Sequence, residues 1–365
     1  MGYQMCKTSL GSLATHPTQW VYFGPMRLPS HTQIYLLRSR LYPLWKSSVC
    51  FALVLLTSCQ RSASKNIAVI PRTTGIPLWE PLHLGAKAIA LKFGVHIYWN
   101  APTREDNIAG QIAMVERVIA RDYQGLVLAP DHSQALITPV RRAMSHGLPV
   151  VVVGSPLSIP PGNGLCYILN DEEAGGRIAA QRVATMLHGH GTVALLGIDP
   201  DILGIVTRAR SLEQFLTTNY PEIQIVATRM GTFNVPHEQQ VAEETLKANP
   251  DLDAIVALTS TSAHGTLSAI GESQTSHVRI IVFDPEFWVF DAPNVDSLVV
   301  EDMQKMGAEA VRQILSQNQG RPMIPVTQFE PVLLTRENYN MEAPELYSMI
   351  YTWPAQSRWK WMIGP

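Results

Sequence analysis

The sequence predicts an α/β protein in which two doubly wound parallel sheets form two lobes. Short runs of β-branched residues alternate with amphipathic segments from Asn66 onwards, a pattern typical of βα units around a parallel sheet. The series reaches a fully apolar strand, "PVVVV" at 149–153, and then starts again. Two consecutive sets of about four units, each of about 100 to 130 residues, indicate two similar lobes with a cleft between them.

The elements of the first set follow from the length and period of each apolar segment. Strands are short runs without a helical period, whereas helices place apolar residues three or four positions apart. Ile108, Ile112, Val115 and Ile119, for example, have near-helical spacing. The predicted strands are 67–71, 95–99, 125–129 and 149–153, and the predicted helices are 80–93, 106–121 and 134–146.

The second set repeats the pattern and ends in a long helix. Gly175 and Gly176 lie in its first helix and indicate close helix packing, because no GxGxxG dinucleotide motif surrounds them. The predicted strands are 166–169, 192–196, 223–227, 254–257 and 278–283, with 299–300 closing a further strand, and the predicted helices are 172–187, 207–218, 237–248, 262–270 and 301–317.

The composition excludes several classes of function. The 365 residues are 46% hydrophobic and 16% charged with a net charge of -2, so no basic footprint for a nucleic-acid partner exists. No P-loop or GxSxG elbow occurs, and "HEQQV" at 237–241 lacks the second histidine of a zinc-binding helix.

Only Cys166 of the four cysteines lies in the main body. We therefore expect no catalysis, cofactor, metal or internal disulfide.

The stretch "FALVLLTSCQRS" at 51–62 predicts a processing site. The apolar run Val49 to Leu56, of about eight residues, is far shorter than the roughly 20 that span a membrane, but suits the apolar region of a secretory signal that follows basic residues. Leu56 to Cys59 resembles a bacterial lipobox, which implies that Cys59 is diacylated and begins the mature chain. An uncleaved or ordinary signal and a buried segment remain alternatives. For residues 1–45, which show no hallmark of a folded domain, one explanation is a later translation start, for example at Met26. The predicted terminal segments are a leader over 1–58, a tether over 59–65 and an aromatic tail over 341–365.

Six segments in a fixed order resemble the type I periplasmic binding proteins of the ribose and galactose sort, which share their fold with the core of LacI-type repressors. The resemblance covers Ile67 to about Asn338. The segments are "IAVIPRTTGIPLWEPLHLGAKAIALKFGVHI", "QGLVLAPDHSQALITPVRRAMSHGLPVVVVGS", "YILNDEEAGGRIAAQRVATML", "NPDLDAIVALTSTSAHGTLSAI", "RIIVFDPEF" and "LVVEDMQKMGAEAVRQIL".

This resemblance implies Rossmann-like lobes joined by a hinge in which the chain crosses three times. The N-terminal lobe would comprise 66–169 and 302–327, and the C-terminal lobe 170–301 and 328–340. It also implies a monomeric, lipid-anchored component of an ABC importer, which binds a small ligand such as a carbohydrate and delivers it to a membrane permease. A sensory module for a membrane receptor or kinase is the alternative. A LacI-type regulator is disfavoured, since no DNA-binding helix pair precedes Asn66.

The resemblance places four ligand-binding residues near the first lobe. Arg72 and Trp79 match a polar group and a stacking aromatic, with a solvated loop charge and a core residue as their alternatives. Asp131 either accepts from the ligand or caps the following helix. Asn170 matches a contact position at the first crossing, and Asp171 is expected to cap the helix after it.

Five more ligand-binding residues are implied in the second lobe. Arg208 matches a ligand-binding arginine, with Arg210 as a competitor. Phe233 matches a second aromatic that would sandwich a sugar against Trp79, or else a hydrophobic plug under its loop. Asp284 ends a buried strand with a carboxylate directed at the cleft. The remaining two are Thr259 and Glu301, the latter with a hinge role as its alternative.

Two departures from the family's pattern affect specificity. Thr259 and Ser260 replace the family's Asn-Asp pair, and Gly154 and Ser155 replace its acidic residue after "PVV". Fewer charged acceptors would then face the sugar hydroxyls. A plain ribose or galactose specificity is therefore not assumed, and a different or modified sugar or a ligand other than a sugar stays open.

Overall fold

The computed structural model describes residues 66–273, 277–284 and 292–338. The predicted leader, Cys59, the tether and the aromatic tail lie outside the described residues. In the part of the chain that is described, no helix combines the length and apolar character needed to cross a membrane.

The described elements alternate between strand and helix, as the pattern of short apolar runs and amphipathic segments predicts. The strands are β1 (Asn66–Ile70), β2 (His96–Trp99), β3 (Gly125–Leu128), β4 (Val150–Gly154), β5 (Leu165–Asn170), β6 (Gly191–Ile198), β7 (Ile223–Met230), β8 (Ala254–Ala257), β9 (Arg279–Phe283), β10 (Val295–Val300), β11 (Val326–Phe329) and β12 (Val332–Thr335). The helices are α1 (Glu80–Lys92), α2 (Ile108–Ile119), α3 (Ile137–Ser145), α4 (Glu172–Met186), α5 (Leu203–Asn219), α6 (Val235–Ala248), α7 (Ser260–Ser273) and α8 (Met303–Asn318).

Two sheets carry the two lobes and confirm the predicted fold class. The first has the order β11-β5-β4-β3-β1-β2 and is parallel throughout. The second has the order β12-β10-β9-β8-β6-β7 and is parallel except for β12, which runs antiparallel to β10. Buried strands such as β3, β4 and β8 expose neither face, which explains their continuous apolar runs.

The chain passes between the sheets three times. It leaves the first sheet after Asn170, returns after Val300 through α8, and leaves again between Phe329 and Val332. The third passage lies after Phe329, two residues later than the lobe boundary that the sequence predicts. Sequence analysis did not predict β11 and β12, whose four-residue lengths leave little periodic signal.

The return passage is secured by reciprocal glycine contacts between α1 and α8. A Cβ on Gly85 would lie 2.0 Å from the backbone oxygen of Gln304, and one on Gly307 would lie 2.0 Å from that of Leu82. Only glycine permits this approach of two helix backbones. The contact fixes α8, which follows the second sheet in sequence, onto the first lobe.

Candidate ligand-binding cleft

The two lobes meet at the carboxyl ends of their parallel strands, where open α/β sheets bind ligands. Asp201 accepts through its backbone oxygen from the Ser133 backbone N–H at 2.8 Å. Ser155 accepts through Oγ from the Gly204 N–H at 2.9 Å, so this replacement of the family's acidic residue joins the lobes. The residues that follow the strands of both sheets therefore face one another.

Arg208 of α5 is the centre of a buried ion network. Its guanidinium is 2% exposed and pairs in a bidentate manner with Glu172, through Nε at 2.6 Å and Nη2 at 2.7 Å. Nη1 donates to Asp284 Oδ2 at 2.8 Å and to the Leu258 carbonyl at 3.2 Å, and Nη2 donates to Glu301 Oε1 at 2.8 Å. These five bonds use all the donors that an arginine possesses. The implied contact of Arg208 with a ligand therefore requires one of them to open.

Glu172 is the functional candidate that sequence analysis missed in this network. It follows Asp171, which caps α4 as predicted by accepting from the Ala174 N–H at 2.8 Å. Gly176 lets α4 approach α5, since its Cβ would lie 2.4 Å from the Arg208 backbone oxygen. A carboxylate in the first turn of a helix is common, so sequence offered no signal that Glu172 pairs with Arg208.

The network contains three carboxyl groups and a single guanidinium. Burial raises the pKa of Glu301 well above its usual range, and the neighbouring Asp284 and Glu172 raise it further against the opposing effect of Arg208. Burial alone would lower the pKa of Arg208, but the three carboxyl groups outweigh it and hold that pKa well above its usual value. These surroundings favour the protonated form of Glu301, which would offer an O–H donor within the network.

Asp284 follows β9 with a backbone φ of 50°, in the left-handed region that few non-glycine residues adopt. Such conformations concentrate at functional sites. Its Oδ2 is held by Arg208, and its side chain retains partial exposure. The structure thus leaves Asp284 at the surface of the network, where the sequence predicts a ligand contact.

Arg72 follows β1 and lies between two aromatic rings from different lobes. Its guanidinium carbon is 5.1 Å from the centroid of the Trp79 ring and 5.8 Å from that of Phe233. The arginine lies against both rings, and the sandwich of a sugar between them stays a prediction. Trp79 is 2% exposed and packs in the first lobe's core, so its core alternative describes it better.

Asp131 is buried beyond the end of β3 without any hydrogen bond to its carboxylate. It is 5% exposed, and neither Oδ1 nor Oδ2 has a partner among the described residues. The alternative that Asp131 caps the next helix is wrong, because α3 begins only at Ile137 and has no side-chain cap. Burial raises the pKa of Asp131 to about 8. The nearby Arg72 lowers this pKa, and the carboxyl groups of Glu105, Asp106 and Asp199 raise it.

Gln111 positions the segments that carry Arg72 and Asp131. Its Nε2 donates to the Pro71 carbonyl at 3.2 Å and to the Ala129 carbonyl at 2.8 Å, and its Oε1 accepts from the Asp131 N–H at 3.0 Å. This one side chain thereby ties together the ends of β1 and β3. It was not predicted, since a polar residue on an amphipathic helix usually faces solvent.

The comparison with protein families decides the identity. The model of the family described as periplasmic binding protein domain matches residues 67–322. The chain belongs to this family.

Relatives of this periplasmic binding protein include transport proteins. It is 24% identical over 283 residues to the D-allose-binding periplasmic protein of Escherichia coli, covering 74% of this chain and 90% of that protein. It is 25% identical over 234 residues to the ribose import binding protein RbsB of Escherichia coli, covering 64% and 77%. A carbohydrate transporter solute binding protein from Agrobacterium radiobacter, solved with D-arabinose, superposes with a TM-score of 0.72 at 23% identity, covering 79% of this chain and 99% of that one.

Three further acidic residues of this periplasmic binding protein lie in the cleft and were not predicted. Glu105 accepts from Trp79 Nε1 at 3.2 Å, and burial raises its pKa to about 7 against the effects of Arg72 and that hydrogen bond. Glu238 accepts from the Thr232 N–H, and burial raises its pKa to about 7. Burial also raises the pKa of Asp199. Their sequence positions, in loops and at a helix start, carry no signal of burial.

Three other predicted ligand-binding residues, Asn170, Thr259 and Phe233, differ in whether their side chains already have a partner within the protein. Asn170 is 5% exposed, and its Oδ1 has no partner in the described part of the chain. Thr259 accepts through Oγ1 from the Ser262 N–H at 3.1 Å, in the manner of a helix cap. Phe233 packs against the second lobe's core, and its N–H lies 3.4 Å from Asp106 Oδ2 of the first lobe. Asn170 is therefore available to a ligand, whereas the Thr259 hydroxyl already serves α7.

Proposed function

We propose that this periplasmic binding protein is the sugar-binding component of an ABC importer. The observation that carries the proposal is a set of buried polar atoms in the cleft without hydrogen-bond partners among the described residues: Arg72 Nε, both carboxylate oxygens of Asp131, and Asn170 Oδ1. Buried polar groups are normally paired, because an unpaired one costs about 1–3 kcal/mol. Hydroxyl groups both donate and accept, so they can bond to atoms of either kind.

The mechanism is capture by closure of the two lobes. Arg72 and Asp131 belong to the first lobe, while Asp284 follows a strand of the second, and Glu301 lies where the chain returns between them. A ligand that bonds to both sides stabilises the closed arrangement over the open one, since only the closed arrangement makes both sets of contacts. The closed form then docks on a membrane permease and delivers the sugar.

The proposed cellular location depends on the family and on the predicted lipid attachment at Cys59. Membership of the family implies a periplasmic location. Within the proposal, lipid attached to Cys59 keeps a monomeric binding protein close to its permease. Mass spectrometry of the membrane fraction is expected to find diacylated Cys59 as the first residue. A soluble chain that retains Met1 or Met26 would overturn the anchor without affecting the sugar site.

Calorimetry of the mature chain, purified as the cell processes it, tests the proposed function. We expect at least one member of a panel of pentoses, hexoses and their derivatives to bind, and small-angle scattering to show a more compact particle when it does. Asn170→Ala should weaken that binding about tenfold, because a buried hydrogen bond is lost. The exposed Asn219 supplies the matched control, Asn219→Ala, which should bind as the unaltered chain does. Absence of both binding and compaction across the panel would contradict the proposal.

A further inference from the structure

The unpartnered polar atoms of the cleft are mostly acceptors on acidic side chains. In its ionised form Asp131 contributes two such oxygens, and Glu238 Oε2 and Asn170 Oδ1 add two more, against the single donor Arg72 Nε. Asp131, Asn170 and Glu238 are each more than nine-tenths buried. Each hydroxyl group of a neutral sugar offers one O–H donor and two acceptor lone pairs. This excess of acceptors therefore calls for a ligand that also brings a group rich in donors.

The charges in the cleft show the same imbalance. Five acidic residues, which we call the acidic cluster, interact electrostatically with one another: Glu105, Asp106, Asp131, Asp199 and Glu238. Three of them, Glu105, Asp131 and Asp199, also interact directly with Arg72. Arg208, the centre of the ion network, is already engaged by three carboxyl groups. Arg72 is the cation that interacts with Glu105, Asp131 and Asp199 of the acidic cluster.

An ammonium group matches both observations. It has three N–H donors and no acceptor, and its bonds to carboxylates are about twice as strong as neutral ones. A metal ion fits less well, because no three His, Cys, Asp or Glu side chains in the described ranges are placed to hold one. The aromatic rings of Trp79 and Phe233 already accommodate one cation, the Arg72 guanidinium, between the lobes.

We infer that the ligand is a sugar that carries a protonated amine, with the Asp131 carboxylate as its main counter-ion and the acidic cluster around it. This inference rests on the proposed function and specifies its substrate class. Hydroxyl groups of the ligand bond to Arg72 and Asn170, and the amine bonds to the unpartnered oxygens of Asp131.

The inference carries a proton-linked signature. Burial raises the pKa of Asp131 to about 8. Arg72 lowers this pKa, whereas the carboxyl groups of Glu105, Asp106 and Asp199 raise it. Asp131 therefore holds a proton at neutral pH in the absence of ligand. An arriving ammonium stabilises the ionised form, and the proton is released. A neutral sugar would leave the proton in place.

Matched sugars test the inference by calorimetry on the mature chain. Each set comprises a hexose, its amino-deoxy derivative and the N-acetylated derivative, with the amine at the second, third, fourth or sixth carbon. One amino-deoxy sugar should bind about tenfold or more tightly than both its hexose and its N-acetyl form, since only it supplies a charge-assisted bond. Titrations in buffers of different ionisation enthalpy should show release of protons when it binds.

Asp131→Asn supplies the test by substitution. It should reduce the preference for the amino-deoxy sugar over its hexose about tenfold, because the amide retains an acceptor but loses the charge. Asp122, which is exposed in the loop between α2 and β3, supplies the matched Asp122→Asn control, in which the preference should persist.

Each result separates this inference from the proposed function. A hexose or N-acetyl sugar that binds as tightly as the amino-deoxy sugar would overturn the inference and uphold sugar binding. Failure of every sugar would overturn both. A simple diamine such as putrescine that binds as tightly as the amino-deoxy sugar would show recognition of charge alone and would overturn the inference.

Discussion

Replacing Asp131 by asparagine should stabilise the ligand-free protein near neutral pH. Asp131 is 5% exposed, and its carboxylate has no hydrogen-bond partner among the described residues. Burial raises its pKa from the usual 3.8 to about 8. Between these two values the unfolded chain is ionised at this position while the native protein remains protonated, so the native state binds the extra proton. Stability therefore falls as the pH rises through this interval.

The size of the stability change follows from the pH range over which the unfolded chain is ionised and the native protein is not. Each pKa unit corresponds to about 1.36 kcal/mol, so the roughly three units between 3.8 and pH 7 amount to ~4 kcal/mol of lost stability. Asparagine removes this loss but buries an amide with two N–H donors, which offsets up to about 2 kcal/mol. The expected change in the free energy of unfolding is thus a gain of about 2–4 kcal/mol at pH 7 and, because the linkage effect is nearly absent there, a change between about -2 and 0 kcal/mol at pH 4.

Urea unfolding monitored by tryptophan fluorescence measures this difference. Both chains are first unfolded and refolded so that no bound ligand remains. The gain for Asp131→Asn should grow from about pH 4 and level off above about pH 8, where the native carboxyl ionises as well. Asp122→Asn provides the exposed control. A gain that is the same at every pH, or a loss at pH 7, would refute the reasoning that the buried carboxyl is unpaired.

Three further predictions concern the framework of the cleft. Arg208→Met should lower the free energy of unfolding by about 3–5 kcal/mol, because it leaves buried carboxyl groups without their cation; the exposed Arg210→Met should change it little. Gly307→Ala should cost about 1–3 kcal/mol in urea unfolding, since its Cβ would meet the backbone of α1, whereas Gly271→Ala has open space and should cost nothing. Gln111→Ala should lose about 2–4 kcal/mol and weaken ligand binding, because three hydrogen bonds that join the ends of β1 and β3 disappear. Unchanged unfolding curves for any of these variants would contradict the corresponding contact.

The sequence by itself determined the fold class and the order of nearly all elements. Apolar period and run length are local properties, and the burial of both faces of a parallel strand imposes them directly on segments such as "PVVVV". Residues directly after strands, such as Arg72 and Asp284, could be singled out for the same reason, since strand ends in these sheets converge on a cleft. Their contacts with a ligand stay predictions.

The tertiary structure alone decided which charges meet and which remain unpaired. Arg208 bonds to carboxyl groups 36, 76 and 93 positions away in the sequence, and no local pattern encodes such pairings. The isolation of the Asp131 carboxylate likewise depends on neighbours from other segments, and its sequence context indicated a helix cap instead. Protonation and hydrogen-bond satisfaction depend on the three-dimensional surroundings of a group. Periodicity therefore predicts where a cleft forms, whereas only the folded chain shows that the Asp131 carboxylate in this cleft is buried and unpaired.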